Sequence, residues 1–326
     1  MKILVTGGAG YLGTTLVPLL LAGGHSVTVL DSLRFGIGPL VPLFRHPHFS
    51  FARVDIRDRG ALGEHARRAD AFVHLAAIVG YPACAETPDD AQSTNVEGTR
   101  NIAEAAGRGR TVVLASTSSC YGEVADAICT EDTPLRPVSL YGHTKVESES
   151  IMLGQCDAVV FRLATVYGIS PRLRLDTMVN DFTYRAVRDR RLMVYESGHR
   201  RSFIHVSDVA RAILMAMERP QEMAGRVFNV GDERQNYTKL EVCRVIQSIV
   251  PGVEVGSEST GHDVDRRDYA IGYGRIRALG FQASIPLDHG IREIANVAPW
   301  IERQELYCNL ASPACGRAAG GEEALR

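Results

Sequence analysis

Nowhere does the 326-residue chain stay apolar for the ~20 residues that a bilayer-spanning helix needs, which argues against a helical membrane protein. The seven cysteines, at 84, 120, 129, 156, 243, 308 and 315, contain no C-x-x-C pair. That spacing predicts reduced cytosolic thiols, and neither a disulfide framework nor a zinc site. The ten histidines form no H-E-x-x-H or comparable spacing, so no metal is expected. Charge of one sign is also missing: the formal net charge is −2, which argues against nucleic acid as the main partner. There is no internal repeat. Met1-Lys2 runs straight into an apolar strand, leaving no room for a signal peptide, and a cytoplasmic location is the expectation. What remains is 45% hydrophobic and 23% charged, the composition of a soluble globular protein. The length suits one large or two closely packed domains.

The N-terminus carries the first chemistry. Residues 2–6 read as a short buried strand. Gly7-Gly8-Ala9-Gly10-Tyr11-Leu12-Gly13 follows at once, and then an apolar helix to about Gly23-Gly24. Strand, glycine-rich turn and helix set a pyrophosphate on a helix N-terminus. Gly7 permits the tight turn, Gly10 the close backbone approach and Gly13 the packing of helix on strand. A second strand ends in Asp31, 18 residues after Gly13, where an acid accepts the ribose 2′-OH of NAD. The same carboxylate repels the extra phosphate of NADP. Pro18 removes one helical N–H and is expected to be tolerated near the helix start.

A second constellation lies mid-chain. Tyr141 and Lys145 are four residues apart, on one face of a predicted helix. A cation beside a phenol favours phenolate and lowers its pKa from ~10, which makes a general base for a hydroxyl proton. Upstream, Ser116-Thr117-Ser118-Ser119 supplies hydroxyls for the same substrate oxygen.

Strands are predicted at 2–6, 26–30, 50–54, 71–75, 111–116 and 157–163, and helices near 12–23, 60–67, 88–107 and 139–153. This alternation reads as a doubly wound parallel sheet of the α/β class. Thr87 is the expected cap of the 88–107 helix, with Pro88 at its first position. Further helices are expected at 176–190, 207–218, 239–250 and 286–303, a strand at 226–230, strand-like pieces in 253–270 and a loosely held tail from about 312. Residues 171–201 hold eight arginines against four acids. Placed after the sixth strand, this cationic surplus suits a diphosphate, with Arg185 and Arg188 read as solvated.

Together, Thr6 to Gly13 and Tyr141-x-x-x-Lys145 resemble the extended short-chain dehydrogenase/reductases, and more narrowly the NAD-dependent nucleotide-sugar epimerase/dehydratase group. Asp55-Ile56, His74 to Ala77, Asn95 to Thr99, Tyr121-Gly122, Arg162 to Gly168, Arg201 to Asp208 and Phe228 to Gly231 extend the likeness to about residue 300. It implies a Rossmann-type sheet with a smaller, discontinuous α/β substrate domain on the C-terminal side. The NAD-binding part would span 1–170, with 203–235 returning to it, and the nucleotide-sugar part 171–202 and 236–310, before a tail at 311–326. Position by position, it implies that Gly7, Gly10, Tyr11, Leu12, Gly13, Asp31, Ser32, Asp55, Ile56, Leu75, Ala76, Ala77 and Asn95 line NAD with Tyr141 and Lys145. It makes Thr117 the catalytic hydroxyl beside Tyr141 and Lys145. Val79, Gly80, Ser118, Ser119, Thr165, Asn180, Arg201 and Arg267 would face the nucleoside-diphosphate sugar. The family often has Asn where this chain has Thr165.

The positions of Ser118 and Ser119 decide the chemistry that the resemblance implies. The 4,6-dehydratases of the group place Asp-Glu there, an acid and a base that serines cannot replace. The 3,5-epimerases place a cysteine at the Ser119 position; Cys120 falls one residue late and is read as structural, like His143. His205 is read as orienting a loop. The expectation is therefore C4 epimerisation through a 4-keto sugar. A 4-ketoreductase that consumes NAD(P)H uses the same Thr–Tyr–Lys set, and Asp31 tilts the choice towards NAD and the epimerase. A non-catalytic NAD-binding sensor would have no need of the three together. The resemblance also implies a homodimer through the 88–107 helix and the Tyr141 helix.

Overall fold

The computed structural model describes residues 1–124, 128–257, 268–302 and 307–309. Its strands are β1 Lys2–Thr6, β2 Ser26–Asp31, β3 Phe49–Arg53, β4 Ala71–His74, β5 Thr111–Thr117, β6 Ile128–Cys129, β7 Asp157–Leu163, β8 Thr165–Tyr167, β9 Arg191–Val194, β10 Arg200–His205, β11 Arg226–Val230, β12 Asn236–Thr238, β13 Glu254–Ser257 and β14 Ala270–Ile271. Seven of them form one sheet in the order β11-β7-β5-β4-β1-β2-β3. Every pair in it is parallel. A central parallel strand is covered on both faces, and so β1 is a near-continuous apolar run, buried from Ile3 to Thr6. The chain leaves β1 for β2 on one side and returns to β4 on the other. Ligands bind open α/β sheets at the carboxyl ends on either side of such a reversal, here Gly7 and Leu75. Three smaller sheets, β12-β10-β8, β13-β9 and β14-β6, lie outside it.

The helices are α1 Gly13–Ala22, α2 Arg59–Ala66, α3 Tyr81–Glu86, α4 Pro88–Gln92, α5 Gly98–Ala106, α6 Leu140–Gln155, α7 Met178–Asp189, α8 Val206–Glu218, α9 Pro220–Met223, α10 Lys239–Ile249, α11 Gly274–Ala278 and α12 Leu287–Val297. Local chemistry sets several of their ends. Ser139 accepts from the Gly142 N–H to start α6, and Thr238 with Glu241 forms a full capping box on α10. Pro18 sits at the sixth of the ten residues of α1, not in its first turn, with its ring exposed to solvent.

The expected helix over 88–107 is present as an unbroken run from Pro88 to Ala106, in which a π-turn at Ser93–Glu97 joins α4 to α5. Thr87 makes no cap bond; its hydroxyl donates to the Ala83 carbonyl, 3.2 Å away. The expected helix over 286–303 stops at Val297 and continues as a 3₁₀ turn through Pro299. Residues 307–309 run back to the main body, where the Leu175 N–H donates to the Tyr307 carbonyl at 2.7 Å. The reduced-thiol expectation fails at one position: Cys308 is disulfide-bonded, while Cys84, Cys120, Cys129, Cys156 and Cys243 are free and buried. Among the described residues no helix is long and apolar enough to cross a membrane.

Candidate active site

A cleft of about 960 Å³ opens along the carboxyl ends of the strands. One end is built by the glycine turn. Gly7 has φ +73°, and a Cβ there would lie 2.6 Å from the Ala76 N. A Cβ on Gly13 would meet Gly8 Cα at 2.5 Å. Both positions therefore exclude a side chain, and the bare turn forms a cradle that a Cβ would fill. Tyr11 and Leu12 complete the turn and line the cleft with Gly10. Asp31 ends β2, and its carboxylate accepts from Ala9 N–H at 3.0 Å and Leu33 N–H at 2.8 Å. Burial raises its pKa, and these two backbone donors oppose that. Ser32, Asp55, Ile56, Leu75, Ala76 and Ala77 line the same wall. Asp55 is held by Arg57 at 2.7 Å, which lowers its pKa.

At the other end, α6 presents Tyr141 and Lys145 to the cleft, 8% and 4% exposed. Burial lowers Lys145 to about 8, while Cys120, Glu149 and Cys84 act in the opposite direction. The ammonium thus holds its charge at neutral pH by a small margin. Thr117 closes β5. Its Oγ1 accepts from the Ser119 N–H and donates to Ser119 Oγ, each at 3.1 Å. Ser118 and Ser119 begin the 3₁₀ turn Ser118–Tyr121, and the Tyr269 hydroxyl donates to the Ser118 carbonyl at 2.8 Å. Val79, Gly80, Thr165 and Arg201 also face the cleft.

Two polar networks aim α6. In the first, Thr6 Oγ1 meets His74 Nδ1 at 2.7 Å, and His74 Nε2 meets Thr99 Oγ1 at 3.0 Å. Desolvation, with Lys145 nearby, pushes His74 down to about 3, so it is neutral. Asn95, set by the π-turn, accepts from Ile78 N–H at 2.8 Å and donates to the Ile78 carbonyl and Thr144 Oγ1. In the second, Glu149 accepts from Arg162 Nη2 at 2.7 Å and from the Ser116 hydroxyl. Arg162 in turn reaches Tyr121, whose hydroxyl donates to Asn229 Oδ1 at 2.6 Å. Cys120 packs against this pair; burial pushes its thiol up to about 12, an inert group.

Two expected site residues are described and are not at the cleft wall. Asn95 is buried off the wall, with its amide group and its carbonyl engaged with Ile78 and Thr144. Asn180 is fully buried and bonds Gly168 N–H and carbonyl, the Arg174 carbonyl and Tyr11. Arg267 lies outside the described residues. Conversely, Arg185 pairs with Asp181 at 3.6 Å and lines the cleft, in place of the expected solvated face. Arg172, Arg174, Asp176 and Asn309 also line it; the two arginines belong to the cationic 171–201 segment, and no motif marks Asp176 or Asn309. Arg174 is paired with Asp176 at 3.0 Å, and Asp176 also accepts from the Asn309 N–H. His143 is exposed, and His205 Nδ1 accepts from the Ser207 N–H at the start of α8.

The close glycine turn, the acid at the end of β2 and the Tyr–Lys pair at the far end fit a dinucleotide laid along the cleft. Comparison with known proteins agrees. The chain is 31% identical over 330 residues to a dTDP-glucose 4,6-dehydratase of Streptomyces griseus, covering 96% of this chain and 97% of that one. The UDP-glucose 4-epimerase of Thermus thermophilus, solved with NAD, superposes with TM-score 0.79 at 27% identity over 92% of this chain and 99% of that one. The UDP-glucuronic acid 4-epimerase of Bacillus cereus, solved with UDP-glucuronic acid and NAD, gives TM-score 0.81 at 25% identity over 92% and 99%. The profile of one family matches residues 3–231. The chain belongs to the NAD dependent epimerase/dehydratase family.

Proposed function

We propose that this enzyme epimerises a nucleoside-diphosphate sugar at C4 through a transient 4-keto sugar. The observation that carries the reading is the pair of serines beside Thr117. Ser118 and Ser119 stand where the dehydratases of the group have an acid and a base, and Ser119 is hydrogen-bonded to Thr117. Neither hydroxyl can take a proton from C5 and deliver one to a leaving group at neutral pH. Cys120 is buried and inert.

When bound, NAD supplies a reversible hydride acceptor for the C4 carbon. Tyr141 takes the C4 hydroxyl proton and later returns it, so no external acid or base is consumed. Lys145 stabilises the phenolate and holds the nicotinamide ribose. Thr117 Oγ1 bonds the sugar oxygen while the charge moves. Val79, Gly80 and Thr165 leave room for the keto sugar to turn and present its other face. Arg201 meets the substrate diphosphate.

The test is a 4-deuterated nucleotide sugar converted in D₂O. The label should stay at C4, with no solvent deuterium at C3 or C5 and no net use of added NADH. Solvent label at C5 moves the reaction to dehydration or 3,5-epimerisation. Stoichiometric oxidation of NADH moves it to ketoreduction.

A further inference from the structure

Arg172, one of the eight arginines of 171–201, is 3% exposed and lines the cleft. Its loop is stitched to the glycine turn. The Arg172 N–H donates to Thr14 Oγ1 at 3.3 Å, Thr14 Oγ1 meets Ser170 Oγ at 2.8 Å, and Ser170 donates to the Tyr11 carbonyl at 2.7 Å. The guanidinium lies over the Phe35 ring at 3.7 Å, four residues beyond Asp31. Its Nη2 donates to Asn309 Oδ1 at 3.0 Å and to the Cys308 carbonyl at 3.4 Å. Its Nε is buried and has no hydrogen-bond partner.

A buried guanidinium with an open donor is costly unless an anion completes it. Among the described residues no carboxylate pairs with Arg172 at hydrogen-bond distance. Desolvation, joined by the Arg174 charge, brings it down to about 10, while Asp176, Tyr11 and Asp31 oppose this only through space. The first turn of α1, to which its loop is tied, is where the diphosphate of a dinucleotide sits. We propose that Arg172 is a clamp on the NAD diphosphate, applied from the loop facing the glycine turn. This rests on the reading of the cleft as the NAD site. Phe35 and Asn309 fix the fork, and its uncompensated charge waits for the phosphate oxygens. The sugar nucleotide also carries a diphosphate, but the ties to Tyr11, Thr14 and Phe35 place Arg172 at the glycine-turn end.

The experiment strips cofactor from wild type, Arg172→Met and Arg172→Lys and reads binding by calorimetry. NAD and ADP-ribose should bind Arg172→Met about ten- to a hundredfold more weakly, while adenosine, which has no diphosphate, binds nearly as before. Arg172→Lys keeps the charge without the fork and should fall between; it also serves if the Met variant does not fold. Undiminished NAD affinity in the variants overturns the clamp, as does an equal loss for adenosine. Weaker binding of UDP-glucose to NAD-loaded variants, with NAD affinity intact, assigns Arg172 to the substrate instead and overturns it too. No turnover is read, so a failed clamp leaves the epimerisation reading standing.

Discussion

In the proposed mechanism Tyr141 depends on the charge of Lys145, which burial weakens. Tyr141→Phe removes the only proton-transfer atom proposed for C4. Turnover should fall ~10²–10⁴-fold with NAD retained; a variant with near-normal rate would mean another group is the base. Lys145 also leaves a mark on stability. Its folded pKa is about 8 against an ordinary 10.5, so the folded chain loses this proton first. The cost of burying the ammonium is present below about pH 8 and relieved as pH rises to 10.5, which makes stability climb over that window. Denaturant midpoints of wild type and Lys145→Met, measured at both ends of the window, should diverge in favour of wild type at the alkaline end. A pH-independent difference would show a solvated amine. The spacing of Tyr141 and Lys145 is legible in the sequence because four residues on a helix make one face. Arg172 is legible as one of the arginines of 171–201 that suit a diphosphate, but its meeting with Asn309 is not, since the two lie 137 residues apart with no periodicity to announce them. Asn95 and Asn180 look like ligand contacts in the sequence, but a buried amide must satisfy its own donors and acceptor, and here the protein itself does so.

At the scale of elements, the Glu149–Arg162 pair holds four pieces in register: α6, β5 through Ser116, β7, and the 3₁₀ turn through Tyr121. Both side chains are nearly dry, at 4% and 6% exposed. Removing one partner strands the other's charge. Arg162→Met should therefore cost about 3–5 kcal/mol in urea unfolding, with Glu149→Gln/Arg162→Met recovering part of it. A single-variant loss under about 1 kcal/mol would mean that water reaches the pair. The long buried strands are legible, because parallel strands covered on both faces are plain apolar runs. β10 is not: Arg200 to His205 reads as polar, yet five of its six residues are buried, Arg201 lining the cleft while Phe203 and Ile204 enter two separate hydrophobic cores. The 88–107 segment misleads in another way. Ser93-Thr94-Asn95-Val96 and Gly98 are weak helix formers and coincide with the π-turn, but their types alone do not specify that it turns Asn95 inward.

For the whole molecule, the doubly wound sheet is legible from the alternation of strands and helices, whereas the return of residues 307–309 to the cleft depends on a remote surface. Self-association is the open consequence of the likeness. The apolar positions of α5 and α6 point into the chain. Glu97, Glu104 and Glu147 are exposed around them, with Arg100 half-buried between Glu97 and Glu147. Two copies meeting there bring more acid than base together. A homodimer through these helices should therefore tighten as salt screens the repulsion. Light scattering from low to about 0.5 M salt should show particles of twice the 35.5 kDa chain mass increasing; chain-mass particles throughout would refute the dimer, and loss of dimer with salt would move its interface elsewhere. The order of the sheet has one more effect, felt before the protein exists as a folded body. β7 is buried along Ala158–Leu163, and its outer neighbour β11 begins at Arg226. A ribosome delivering ~5–20 residues per second leaves that apolar edge uncovered for several seconds of every synthesis. For that interval the nascent chain offers an open strand to whatever is nearby, chaperone or another nascent copy.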